Sequence, residues 1–181
     1  MGLFYTGKGD GGKSFVGRKK FDKTSPAMEA LGALDELNSL LGLVRSEERN
    51  RTHKARIRAA QEALFIIQAN VAAPLFKSTY KAPVLSPSKL FELEEVIRRA
   101  EHIVRPGRGF IVSGEHSLAA WYDYSRAVSR RAERAALRVA KKLRLNPLLL
   151  AYLNRLSSFL FALARLSAKK SRVKELHPTY R

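Results

Sequence analysis

The sequence of 181 residues contains no cysteine. Disulfide bonds, thiolate metal ligands and cysteine nucleophiles are therefore excluded. Histidine is also scarce, and no two histidines stand three or four residues apart, so the helical spacing of a zinc site is missing. The four histidines are His53, His102, His116 and His177. This composition rules out chemistry that depends on cysteine or on paired histidine ligands.

Acidic residues are few beside basic ones. Lysine and arginine number 34 against 16 aspartates and glutamates, which gives a net charge of +18. We therefore expect an anionic partner such as a nucleotide, a nucleic acid or an acidic cofactor. We find no apolar run long enough for a membrane span and no secretion signal among the opening residues. The length and the hydrophobic fraction of 45% predict a soluble, cytoplasmic protein with a full core.

Glycine clusters near the start of the chain. Residues 6–14 read Thr-Gly-Lys-Gly-Asp-Gly-Gly-Lys-Ser, which matches both the P-loop and the dinucleotide-binding pattern. Both patterns need a helix directly afterwards, but the next segment carries Gly17 and Pro26 and lacks a helical apolar period. We reject both folds and keep the physical argument that glycines and nearby lysines could cradle a polyphosphate. The alternative is a flexible basic arm.

Helical periodicity dominates the rest of the chain. Apolar residues repeat every three or four positions in five segments, which predicts an all-α five-helix bundle with little or no sheet. The predicted helices begin after Pro26 and then cover about residues 52–76, 88–102, 115–146 and 148–170. We expect a single domain made of an N-terminal arm, the bundle, and a frayed basic tail in which His177 is solvated. The arm covers residues 1–25, the bundle 27–170 and the tail 171–181.

The fourth predicted helix carries a row of long polar side chains. Their spacing places them on one stripe beside apolar positions, and they are Arg126, Arg130, Glu133 and Arg134. Guanidinium groups in such a row suit phosphate, because each offers a fixed fork of donors. The alternative is a solvated face held by arginine–glutamate pairs.

Polar residues also interrupt the apolar stripes of two other helices. Asp35 lies on the first helix and Asn154 on the fifth, and helix bundles place ligand sites between such faces. In the glycine-containing loop 104–115, we expect Phe110 to pack on the core. These patterns alone predict an anion-binding, nucleotide-binding helical protein.

Four motifs together resemble the PduO-type ATP:cob(I)alamin adenosyltransferases, also called corrinoid adenosyltransferases. They follow in the family's order and at its separations, from Tyr5 to about Arg165. The motifs read Tyr-Thr-Gly-Lys-Gly-Asp-Gly-Gly-Lys-Ser at 5–14, Leu-Asp-Glu-Leu-Asn-Ser-Leu-Leu-Gly at 34–42, Arg-Ala-Val-Ser-Arg-Arg-Ala-Glu-Arg at 126–134 and Leu-Asn-Arg-Leu-Ser at 153–157.

The resemblance implies a ferritin-like bundle that forms homotrimers, with ATP bound between neighbouring subunits. Catalytic roles would fall to Arg130, to Asp35 and Arg126 as a pair that bridges subunits beside the corrin, and to Phe110 at the lower face of cobalt. The implied contacts to ATP and its Mg²⁺ are Thr6, Gly7, Gly9, Asp10, Gly11, Lys13, Ser14, Lys23, Arg130, Glu133 and Asn154. A flavoprotein reductase is a further partner that the resemblance suggests.

The implied reaction transfers the 5′-deoxyadenosyl group of ATP to cob(I)alamin, which forms adenosylcobalamin and releases triphosphate. Reduced cobalt is itself the nucleophile, so no protein base is required. Phe110 would displace the lower axial ligand and leave a four-coordinate cobalt(II) that is easier to reduce. Rival hypotheses are a non-catalytic ATP-binding helical protein and a basic protein that binds nucleic acid, although no aromatic platform for single strands favours the second.

Several positions depart from the family pattern. The chain has Val-Ser-Gly-Glu at 112–115 where the family has Leu-Pro-Gly-Gly, and Asp123 where the family usually has histidine. Ala27 stands in place of an arginine, and Ser158 in place of an aspartate. These changes bear on the corrin pocket more than on the ATP site, where Ser14 keeps the hydroxyl of the family's threonine.

Overall fold

The chain forms the five-helix bundle that the sequence predicts. The computed structural model describes residues 4–5, 7–16, 19–76, 80–105, 107 and 109–180. The helices are α1 (Pro26–Glu47), α2 (Arg51–Ala72), α3 (Pro87–Val104), α4 (Ser117–Leu143) and α5 (Pro147–Lys170), and a short 3₁₀ helix, Ala73–Leu75, follows α2. Their ends lie within a few residues of the predicted ends.

Local sequence signals explain where the helices begin. Three of them, α1, α3 and α5, start at a proline, whose missing N–H costs nothing in the first turn. The side chains of Ser86 and Asn146 accept hydrogen bonds from the first-turn amides of α3 and α5. Asn50 does the same for the amides of Thr52 and His53 at the start of α2.

Helix α5 packs against α4 and α3, while α1 packs against α4 and α2. By length and composition α5 could cross a membrane, although Arg155 and Arg165 interrupt its apolar runs. More than half of its most apolar stretch is buried inside the bundle. Its apolar side chains therefore form the core, which includes the fully buried Leu153, Leu156, Phe159, Leu160 and Leu163.

The N-terminal region contains a small sheet that the sequence analysis missed. Strands β1 (Lys13–Val16) and β2 (Lys19–Asp22) pair antiparallel, and Lys13 lies opposite Asp22 and forms an ion pair with it. With two strands of four residues each, the sheet agrees with the prediction of little or no sheet. Burial switches from residue to residue along β2, which is the period of a strand and not of a helix.

The C-terminal tail is docked against the bundle, so the prediction of a frayed tail is wrong, whereas His177 is exposed to solvent as predicted. Val112 donates its amide hydrogen to the carbonyl of Leu176 at 2.8 Å in an antiparallel bridge. The buried Arg165 of α5 pairs with Glu175 of the tail. These partners lie far apart in the sequence, and composition alone did not reveal them.

A buried carboxylate closes the turn between α1 and α2. Glu48 is 5% exposed and accepts the hydroxyl hydrogen of the fully buried Tyr122 at 2.6 Å. The amide of Asn50 donates to the same carboxylate at 2.7 Å, and His53 Nδ1 lies 3.4 Å away. Burial, together with the Glu48 carboxylate, raises the pKa of the Tyr122 hydroxyl far above its usual range, so this hydroxyl remains a donor.

Candidate functional site

A cleft of about 480 Å³ opens between α3, α4, α5 and the segment 109–113. A cavity of this size, lined by apolar residues with a few charged groups, is typical of a small-molecule site. Its lining includes Ile97, Ala100 and Glu101 of α3, Asp123, Arg126 and Arg130 of α4, Ser158, Phe161 and Arg165 of α5, and Phe110, Ile111 and Ser113 of the connecting segment.

Phe110 lies on the wall of this cleft with 76% of its surface exposed. The prediction that it packs on the core is therefore wrong. The segment around it bends at Gly109 and Gly114, whose φ angles of 142° and 135° favour glycine. An exposed aromatic ring on the wall of a cleft is typical of a residue that contacts a ligand.

Two arginines of α4, Arg126 and Arg130, line the same cleft one helical turn apart. The guanidinium of Arg126 lies 6.0 Å from the ring centre of Phe161, whereas its Nε is buried without a hydrogen-bond partner among the described residues. Arg130 is exposed at the cleft. The structure thus brings together three of the four residues predicted to be catalytic.

The predicted nucleotide contacts Glu133 and Asn154 also meet. Asn154 Nδ2 donates a hydrogen bond to Glu133 Oε1 at 2.9 Å, which joins α5 to α4. Glu133 lies almost one turn beyond Arg130 on α4. The polar stripe predicted on α4 therefore continues from the cleft to a second polar group on α5.

The fourth predicted catalytic residue, Asp35, lies elsewhere on the chain. It is exposed on α1, and among the described residues no ion pair joins it to Arg126. Its neighbour Glu36 pairs with Arg131 of α4. The predicted pair of Asp35 and Arg126 is thus not formed within one chain.

The glycine-rich segment forms successive turns ahead of β1. The amides of Asp10 and Gly12 donate to the carbonyls of Gly7 and Gly9 at 3.3 and 3.2 Å. Gly7 and Gly12 have φ angles of 66° and 74°, which a side chain would strain. Because the hydrogen bonds run within the turns, part of the expected amide cradle is already occupied.

Lys23 reaches back to these turns. A Cβ atom added to Gly9 would lie 3.1 Å from Lys23 Nζ, so the absence of a side chain leaves room for this ammonium group. Lys13 and Ser14 lie in β1, and Gly11 is exposed within the turns. Thr6, another predicted contact, lies outside the described residues.

One buried cluster escaped the sequence analysis. Arg165 of α5, 4% exposed, pairs with Asp123 of α4 and with Glu175 of the tail. Its guanidinium also lies 5.0 Å from the ring centre of Phe161, on the wall of the cleft. The three charged residues of this cluster come from three separate segments, so no local pattern marked them.

Comparison with known proteins identifies the family. The family model described as cobalamin adenosyltransferase matches residues 4–167. The chain belongs to the cobalamin adenosyltransferase family. This result agrees with the resemblance carried by the four motifs, and the match ends just before the docked tail.

Individual members of the family resemble the chain over most of its length. The corrinoid adenosyltransferase PduO of Salmonella typhimurium is 36% identical over 163 residues, which cover 89% of this chain and 48% of that protein. The chain thus spans about half the length of the PduO relatives it matches. A corrinoid adenosyltransferase of Citrobacter freundii is 30% identical, and there the match covers 92% of this chain and 95% of the relative.

Solved structures of cobalamin adenosyltransferases share the fold. A phenylalanine-to-histidine variant of the PduO-type ATP:corrinoid adenosyltransferase from Lactobacillus reuteri, complexed with cobalamin and ATP, superimposes with a TM-score of 0.89. It is 26% identical to this chain and covers 97% of it, and the chain covers 96% of that structure. The chain therefore shares its fold with a protein whose solved structure contains cobalamin and ATP.

Proposed function

We propose that this protein transfers the 5′-deoxyadenosyl group of ATP to cob(I)alamin and releases triphosphate. The observation that carries the proposal is the cleft in which Phe110, Arg126 and Arg130 meet. The resemblance assigns these residues to the two substrates of one reaction, the corrin and the nucleotide. Membership of the cobalamin adenosyltransferase family supports the same assignment.

ATP would lie along the polar stripe of α4. Arg130 offers the guanidinium for a phosphate, and Glu133 with Asn154 presents a fixed hydrogen-bonding pair for the rest of the nucleotide. Lys23, held beside Gly9, supplies a second cation for the triphosphate. The net charge of +18 draws such an anion toward the protein.

Mg²⁺ would enter with the triphosphate. Among the described residues no group of three or more histidines, aspartates or glutamates is arranged to hold a metal ion. Mg²⁺ itself keeps several waters and is commonly held by phosphates with one or two protein oxygens. The Asp10 carboxylate and the Ser14 hydroxyl beside the glycine turns are the oxygens we assign to it, and the ion would neutralise charge on the leaving triphosphate.

The protein needs no general base in this reaction, because cobalt(I) attacks the 5′ carbon and the bond to triphosphate breaks. Its task is to place the two substrates in line, which contributes on the order of 7–11 kcal/mol. Arg130 and Lys23 meet the charge that develops on the leaving group. The exposed ring of Phe110 would occupy the lower face of the corrin and exclude an axial ligand, which makes cobalt(II) easier to reduce.

The complete site would form between subunits of a homotrimer. Asp35 is exposed on α1 and Arg126 is half-buried at the cleft, and the resemblance pairs these two residues across an interface. The hairpin of β1 and β2 packs mainly on itself, and its Phe15 is 49% exposed. An exposed aromatic residue on a hairpin beside a phosphate-binding segment suits a neighbouring bundle.

The test mixes the protein with ATP, Mg²⁺ and chemically reduced cobalamin and follows the visible spectrum. We expect the spectrum of adenosylcobalamin, which reports the new cobalt–carbon bond, together with release of triphosphate. Binding of ATP without any spectral change would instead support a non-catalytic ATP-binding protein. Salt-sensitive binding of DNA with no affinity for ATP would support the nucleic-acid hypothesis.

A further inference from the structure

The segment that carries Phe110 is held by the C-terminal tail. His177 Nδ1 donates a hydrogen bond to the carbonyl oxygen of Phe110 at 2.8 Å. Two residues further on, the Val112 amide donates to the carbonyl of Leu176 at 2.8 Å. Because the ring of Phe110 is 76% exposed, its own packing does little to fix its position.

A series of ion pairs and hydrogen bonds connects the tail to residues that line the cleft. Glu175 pairs with Arg165, and Arg165 pairs with Asp123. Asp123 Oδ2 accepts the hydroxyl hydrogen of Ser113 at 3.1 Å, which returns the chain of contacts to the segment beside Phe110. The tail, α5, α4 and the segment 109–113 thus form a closed ring of contacts.

Because two of its charged members are buried, breaking this closed set of contacts is costly. Arg165 is 4% and Asp123 7% exposed, so an arginine left without its carboxylates would carry an uncompensated charge in the interior. Ser113 and Asp123 are also two of the positions that depart from the family pattern, and here they contact each other. These two departures therefore belong to the same ring of contacts.

We infer that residues 175–177 form a strap that sets the position of Phe110 over the cleft. Glu175, Leu176 and His177 are positioning residues: they act on the reaction through Phe110 and touch neither substrate. The inference rests on the proposed function for its effect on cobalamin, whereas the hold of the strap on the segment 109–113 stands on the contacts alone. The strap lies beyond residue 167, where the match to the family model ends.

The first measurement is amide hydrogen exchange in the full-length protein without substrates. We compare the wild type with Glu175→Gln and with a variant that lacks residues 175–181, and Lys174→Gln serves as the control because Lys174 is the exposed neighbour. The Val112 amide should exchange about tenfold faster in both strap variants, the effect expected when a segment loses one or two hydrogen bonds. Unchanged exchange would overturn the inference.

The second measurement compares adenosylation from chemically pre-reduced cob(I)alamin with conversion that starts from cob(II)alamin and a reductant. In the strap variants the first rate and the KM for ATP should stay within about twofold of the wild type, and the second rate should fall about tenfold. The signal of four-coordinate cob(II)alamin should fall with it. Equal losses in both assays would mean a merely structural tail and would overturn the inference. If the wild type formed no cobalt–carbon bond, the proposed function would fail, and hydrogen exchange would still decide whether the strap holds Phe110.

Discussion

Asn154 donates a hydrogen bond to Glu133 at 2.9 Å and so ties α5 to α4 next to the exposed Arg130. Both residues are predicted contacts of the nucleotide. The hydrogen bond fixes the orientation of the Glu133 carboxylate and the Asn154 amide in advance of binding. Such preorganised pairs lose little entropy when a ligand arrives.

Replacing Arg130 by alanine should weaken ATP binding. Loss of a charged hydrogen-bond donor costs about 1.5–3 kcal/mol, or roughly ten- to 150-fold in Kd. Isothermal titration calorimetry with ATP and Mg²⁺ measures it. Arg138→Ala is the matched control, because Arg138 is exposed two turns further along the same helix. Unchanged affinity in Arg130→Ala would remove this residue from the site.

Replacing Phe110 by alanine should impair conversion that begins from cob(II)alamin far more than conversion from pre-reduced cob(I)alamin. The reason is that the ring would act on the axial ligand of cobalt(II) and not on the attack itself. We expect at least about a tenfold difference between the two losses in rate. Phe91→Ala controls for the removal of an exposed phenylalanine, since Phe91 is 62% exposed on α3 outside the cleft. Equal losses in both assays would contradict the assigned role.

Mixed trimers test whether the site is shared. Asp35→Ala and Arg130→Ala should each be nearly inactive alone, because every interface then lacks one residue. Co-expressed subunits should recover about a quarter of the wild-type activity, since a random trimer joins an intact Asp35 to an intact Arg130 at that share of its interfaces. Arg126→Ala mixed with Arg130→Ala should recover nothing, because both residues lie on one helix. No recovery in the first mixture would place the whole site within one chain.

Removing the Tyr122 hydroxyl should destabilise the fold. Tyr122→Phe leaves the buried Glu48 carboxylate without one of its donors, which costs about 1–3 kcal/mol in the free energy of unfolding at pH 7. Urea denaturation measures this change. Substitution of the exposed Tyr124 by phenylalanine is the control, with a change of less than about 0.5 kcal/mol expected. If Tyr122→Phe lowered the free energy of unfolding by as little as the control does, the Asn50 amide alone would satisfy Glu48.

The same tyrosine predicts a loss of stability at high pH. Burial raises the pKa of both Tyr122 and Tyr152, so each keeps its proton in the folded protein at pH values where it ionises in the unfolded chain. Stability is therefore fully present below about pH 10 and falls above it, by about 1.4 kcal/mol per pH unit for each of the two tyrosines. Tyr122→Phe should remove one of these contributions, so that the slope from urea unfolding between pH 10 and 11 decreases. An unchanged slope would contradict the prediction.

The helices could be predicted from the sequence because their signals are local. Apolar residues recur at the helical period, and Pro26, Pro87 and Pro147 mark three of the starts. Strands β1 and β2 were missed, since each has four residues and lies in a segment rich in lysine and glycine. Such short strands give too few positions for alternation to stand out.

Only those site residues that lie within sequence motifs could be predicted. The row of Arg126, Arg130 and Glu133 follows from helical spacing, and the exposure of Phe110 reversed the expectation that a loop aromatic packs on the core. The ring of contacts through Arg165 depends on long-range packing, which spacing within one segment does not reveal. The pairing of Asp35 with Arg126 stays a prediction, since it requires a second subunit.

The short connection between the hairpin and the bundle limits how far the hairpin can reach. β2 ends at Asp22 and α1 begins at Pro26, so residues 23–25 alone join them. Three residues span at most about 10–11 Å when extended. In the homotrimer that we propose, each hairpin can therefore reach only a bundle that adjoins the start of its own α1.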